Sequence, residues 1–83
     1  MMTKIKFLNT CTEIGKILET KKPWGLFCYN NGSDYYFGID NTTGEVKMHV
    51  FYKNIENCHK WLLESAARSQ IEWEVKNALR TLS

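Results

Sequence analysis

Almost nothing in this chain marks an enzyme, an exported domain or a membrane protein. It has one proline and five glycines, and no glycine-rich phosphate loop. Gly32 and Gly44 fall in turn-like stretches, while Gly25 and Gly38 lie inside strand-like runs, where they would be opposite each other. Cys11, Cys28 and Cys58 are odd in number and far apart. A secreted domain this small would carry an even disulfide framework, so reduced thiols in a cytoplasm fit better. The N-terminus lacks the apolar run of a signal peptide, and no segment approaches the roughly 20 apolar residues of a membrane span. His49, His59 and the cysteines show no metal-ligand spacing and no nucleophile–base pattern. We therefore expect no catalytic residues, no metal and no cofactor.

What is present is a folding domain rich in rings. The 83 residues suffice for one domain, 1–83, and 43% of them are hydrophobic, well above the level of disordered segments. The net charge of +2 is too small to imply nucleic acid. Its distribution is uneven. Residues 1–22 carry five lysines against two glutamates, whereas residues 23–52 carry only Lys47 against Asp34, Asp40 and Glu45. The central segment is thus the acidic one.

Lys4 to Leu8 alternate and predict a short strand. Thr10 with Glu13 is a capping-box spacing, which predicts a helix over 11–20 that places Cys11, Ile14, Ile17 and Leu18 on one face. Lys21, Lys22 and Pro23 end it. Asn31-Gly32 between strand-like runs predicts a two-residue hairpin turn. In that register Cys28 faces Tyr35, Leu26 faces Phe37 and Trp24 faces Ile39. A four-residue loop over 41–44 would set Ile39, Phe37 and Tyr35 against Val46, Met48 and Val50. Both hairpins then agree on one inner face. The sequons at Asn31 and Asn41 read as turn chemistry. Asn54 predicts the N-cap of a helix over about 55–67, with Ile55, Cys58, Trp61, Leu62 and Ala66 buried. A second capping box, Ser69 to Glu72, predicts a separate last helix with Ile71, Val75, Ala78, Leu79 and Leu82 as its stripe. The expected fold is α+β: an antiparallel sheet of three to four strands, packed on one face by two to three helices.

Two layers leave one sheet face bare. In this register that face carries Phe27, Tyr29, Tyr36 and Phe51, with Tyr36 opposite His49 and with Asp34 at its border. Exposed rings of this kind offer large contact area at little entropic cost, so these residues form the expected partner-binding surface. Trp73 would point away from the buried stripe of the last helix, beside Arg80, as a second anchor. Aromatic anchors rimmed by acids suit a host protein or ribonucleoprotein with a basic surface. Stacking of single-stranded nucleic acid is the alternative, disfavoured by the acids and by the missing RNP1 pattern. A homodimer is the third possibility, since small domains often need added burial.

The run Lys6-Phe7-Leu8-Asn9-Thr10, then Tyr29-Asn30-Asn31-Gly32-Ser33, Phe51 to Trp61, and Ile71-Glu72 to Asn77-Ala78, resembles the small phage type I anti-CRISPR inhibitors. That resemblance implies a sheet packed on two helices that blocks target DNA by binding the CRISPR surveillance complex stoichiometrically. It transfers no individual residue roles. It agrees with a cytoplasmic protein that binds rather than catalyses.

Overall fold

The computed structural model describes residues 4–82, and of Leu82 the backbone alone. The order of elements is β1 (Ile5–Phe7), α1 (Cys11–Thr20), β2 (Gly25–Asn30), β3 (Tyr35–Asn41), β4 (Lys47–Tyr52) and α2 (Ile55–Leu82). The class is α+β, with a four-stranded sheet in the order β1-β2-β3-β4. The sheet is mixed, not antiparallel. β1 runs parallel to β2, while β2–β3 and β3–β4 are antiparallel. The reason is topological: a helix between neighbouring strands carries the chain back to the end where it started, so the second strand runs like the first.

Glu13 starts α1 by accepting the backbone N–H groups of Asn9 (2.8 Å) and Thr10 (3.3 Å). The helix ends at Lys21, which is left-handed (φ 60°) and donates its N–H to the Ile17 carbonyl. Asn54 caps α2 as expected, its side-chain oxygen accepting the Asn57 N–H at 2.9 Å.

The first hairpin departs from the predicted register. Asn30 pairs with Tyr36, so the loop between the strands covers 31–34 and Tyr35 pairs with β4 alone. The Asn30 carboxamide holds that loop together, donating to the Ser33 and Tyr35 carbonyls and accepting the Gly32 N–H. Gly32 takes the positive φ (84°) that this turn needs. Cys28 therefore faces Gly38 instead of Tyr35, a shift of three positions. An odd shift exchanges the faces of one strand relative to its neighbour. In the second hairpin Ile39 faces Met48 instead of Val46, an even shift that preserves the faces.

The sheet is covered from both sides, which corrects the two-layer expectation. One face carries Leu26, Cys28 and Tyr36 against Cys58, Leu62 and Ala66 of α2. Gly38 makes this approach possible. A Cβ there would sit 3.1 Å from the Cys58 sulfur and 3.1 Å from the Trp61 ring. The Cys28 and Cys58 sulfurs lie 3.7 Å apart as free thiols, and contact with Cys28 together with burial pushes the Cys58 thiol up. The opposite face carries Phe27 and Ile39 against Ile14 and Ile17 of α1.

The expected break near 67–70 does not occur, and α2 is one helix of 28 residues. Ser69, assigned to a cap, is instead mid-helix and buried, donating to the Asp40 carboxylate at 2.9 Å. Ser65 Oγ donates to the same oxygen, and the Thr42 N–H and hydroxyl bond the other. This fully buried carboxylate thus fastens the sheet to α2. Beyond Ser69 the apolar stripe of the helix no longer meets the sheet, while Glu72 and Lys76 reach back, to Lys47 of β4 and to Glu45 in the loop before it; the molecule's long axis is 48 Å.

Candidate functional site

The eight residues expected to form a partner surface do not come together. Phe27 is 4% exposed and belongs to the core beneath α1. Tyr29 lies on the same face, half-buried against Phe37, with ring centroids 6.0 Å apart. Tyr36 and Phe51 are paired on the other face and pack against the α2 core. His49 is exposed at the margin of that core, its ring 4.7 Å from Phe51 and 5.7 Å from Trp61. Asp34 is in the 31–34 loop, with its carboxylate 3.8 Å from the Lys53 amine. Trp73 and Arg80 are exposed on the projecting half of α2, away from the rest. The odd register shift accounts for the separation of Phe27 and Tyr29 from Tyr36, His49 and Phe51.

The open surface is elsewhere. α1 covers the β1–β2 end of its face, and the β3–β4 end is left partly bare. Tyr35 (48% exposed), Met48 (45%), Val50 (42%) and Tyr52 (59%) line it, with half-buried Phe37 between Tyr29 and Val50. The Tyr35 and Tyr52 rings stack at 5.3 Å. β4 is also an edge of the sheet, so among the described residues one side of its backbone has no neighbouring strand. An apolar strip beside an open, proline-free edge offers both side-chain area and main-chain hydrogen bonds to a partner.

Alternation in the sequence had grouped Tyr35, Phe37, Met48 and Val50 correctly on one face, but that face was assigned to the core. The residues that could have decided the matter are Gly38 and Asp40. A strand glycine marks close approach of another element, and a buried aspartate needs the hydroxyls that Ser65 and Ser69 supply one helical turn apart.

The acidity of the central segment does not survive folding as a charged rim. Asp40 is buried, Asp34 is paired with Lys53, and Glu45 accepts from Lys76 at 2.6 Å. That bond holds the Glu45 carboxyl below its usual range and the Lys76 amine above its own. The strip is therefore an apolar surface whose acidic neighbours are buried or paired. Among the described residues no three His, Cys, Asp or Glu side chains converge as a metal site, and no helix is long and apolar enough to cross a membrane. No protein-family model, curated protein or solved structure matches this chain.

Proposed function

We propose that this chain is a non-catalytic binding protein that occludes a partner by laying the β3–β4 strip and the β4 edge against it. The observation that carries this reading is the row Tyr35, Met48, Val50 and Tyr52, each more than two-fifths exposed on a hydrogen-bonded sheet. Side chains held on paired strands lose little further freedom on docking, so their burial is converted efficiently into affinity. The partner presents an apolar groove or an unpaired strand, in place of the basic surface that the sequence suggested. The resemblance to type I anti-CRISPR inhibitors makes a CRISPR surveillance complex in a bacterial cytoplasm the first partner to try.

The test is inhibition of target-DNA binding by a purified type I surveillance complex, with wild-type protein and with Val50→Asp. Val50 is on the open strip, so the variant keeps its fold and loses at least tenfold in affinity. Equal inhibition by both proteins, or a gel shift of single-stranded oligonucleotide by the wild type, would remove the strip from the function. A second reading, self-association, is favoured by Ile71, Val75 and Leu79, which are 52–62% exposed on α2. Sedimentation of the same samples separates it: a dimer dissolved by Leu79→Asp would transfer the role to that helix.

A further inference from the structure

A second open feature lies on the far side of α1 and is independent of the β3–β4 strip. Between α1, β1 and the turn into β2 is a cleft of about 840 Å³, within the range of about 300–1,000 Å³ typical of small-molecule sites. Its floor is apolar: half-buried Leu8 with the small accessible parts of Ile17 and Phe27, which are 2% and 4% exposed. Pro23 and the half-exposed indole of Trp24 form one wall. Lys6, Lys16 and Lys22 stand around it and are exposed.

The polar groups of this cleft are sharply divided. One oxygen of the Glu13 carboxylate accepts the backbone N–H groups of Asn9 and Thr10. The Thr20 hydroxyl is engaged by the Lys16 carbonyl and the Lys22 N–H. Among the described residues, none of the three lysine amines is in an ion pair. The side chains left to recognise a ligand are therefore three ammonium groups, the Trp24 indole and an apolar floor, with the cations in excess of the single Glu13 carboxylate. Ammonium groups select negative charge. The Leu8, Ile17 and Phe27 side chains have no donor or acceptor to offer, so an apolar body fits this floor better than one that needs hydrogen bonds.

We infer that this cleft binds a small amphipathic anion, an apolar chain or ring system ending in a carboxylate, with the body on Leu8, Ile17, Phe27 and Trp24 and the head on Lys6, Lys16 and Lys22. The charge balance, three lysines against one engaged glutamate, supplies the complementarity; the dry floor supplies the hydrophobic term.

Sodium laurate below its micelle concentration is the probe, followed by the indole N–H resonances of the full chain. The three tryptophans report on three places: Trp24 lines the cleft, Trp61 is against the sheet, and Trp73 is on the projecting helix. Laurate should shift Trp24 saturably and leave Trp73 in place. Lys16→Glu combined with Lys22→Glu should weaken it at least tenfold, as should replacing laurate by uncharged dodecanol. Both lysines are exposed, so the variant folds, and unchanged dispersion of the remaining amide signals checks that. A Trp24 signal that stays put up to about 1 mM laurate, a Kd no better than weak encounter, would overturn the proposal. So would equal affinity for dodecanol, or a shift of Trp24 by oligothymidylate in place of laurate.

Discussion

The two halves of α2 have similar composition and opposite fates. In the first, Cys58, Leu62, Ser65, Ala66 and Ser69 are each at most 5% exposed. In the second, Ile71, Trp73, Val75 and Leu79 are 47–62% exposed. The second stripe has the i, i+4, i+8 spacing expected of a buried helix face. What it lacks is a sheet beneath it. Helical periodicity shows which side chains share a face; whether that face is dry depends on where the sheet ends. The helix can therefore change its apolar phase after Ser69 without breaking, because only the first stripe has to meet the strands.

The sharpest way to break this comparison is one leucine against another. Leu62 is fully buried in the α2 core, so Leu62→Ala leaves a cavity and costs about 2–5 kcal/mol. Leu79→Ala on the projecting half stays within about 0.5 kcal/mol. Urea denaturation midpoints measure both. Comparable losses would mean that the second half is packed as firmly as the first.

Carboxylates give the next contrast. Asp40→Ala strands the hydroxyls of Ser65, Ser69 and Thr42 that now share one acceptor, and costs about 1–3 kcal/mol. Glu72→Ala removes a partner of Lys47 that lies 3.1 Å away and is half exposed, and costs at most about 1 kcal/mol. Lys47 also donates to Ser69 at 3.1 Å, so it stays anchored without Glu72. If the two losses are equal, Asp40 is not the fastening between sheet and helix.

Much of this arrangement is legible in the sequence alone. The bounds of α1 follow from Thr10, Glu13 and Pro23, and the start of α2 from Asn54, because caps and proline act locally. The pairing of Tyr35, Phe37 and Ile39 with the Met48 and Val50 face follows from alternation, which an even register shift cannot disturb. Three things were not legible. The Asn30 side chain builds a loop longer than Asn31-Gly32 suggests, and an odd shift moved Phe27 and Tyr29 to the face opposite Tyr36. The parallel pairing of β1 depends on a crossover that local pattern does not encode. The choice of face for α2 rests on Gly38 and on a buried aspartate with two serines, a long-range match between strand and helix. The candidate site suffered most, since it was defined by which face stays open.

The most exposed tether of the projecting half has a pH dependence whose sign can be worked out. Lys76 on α2 donates to Glu45 in the β3–β4 loop, and both side chains are about three-fifths exposed. The Glu45 carboxyl is lowered in the folded state, so its contribution is present above the unfolded carboxylate value and fades as pH falls through the lowered one. The Lys76 amine is raised, so its contribution is present at neutral pH and fades as pH rises through the raised value. The difference in melting temperature between wild type and Glu45→Gln should therefore be small and flat between roughly pH 5.5 and 9, and shrink on either side. About 1 M salt should remove most of it, because the Debye length there is only about 3 Å. A difference independent of pH and salt would show that Glu45 acts through the conformation of its loop, and the second half of α2 would then be joined to the sheet by packing instead of charge.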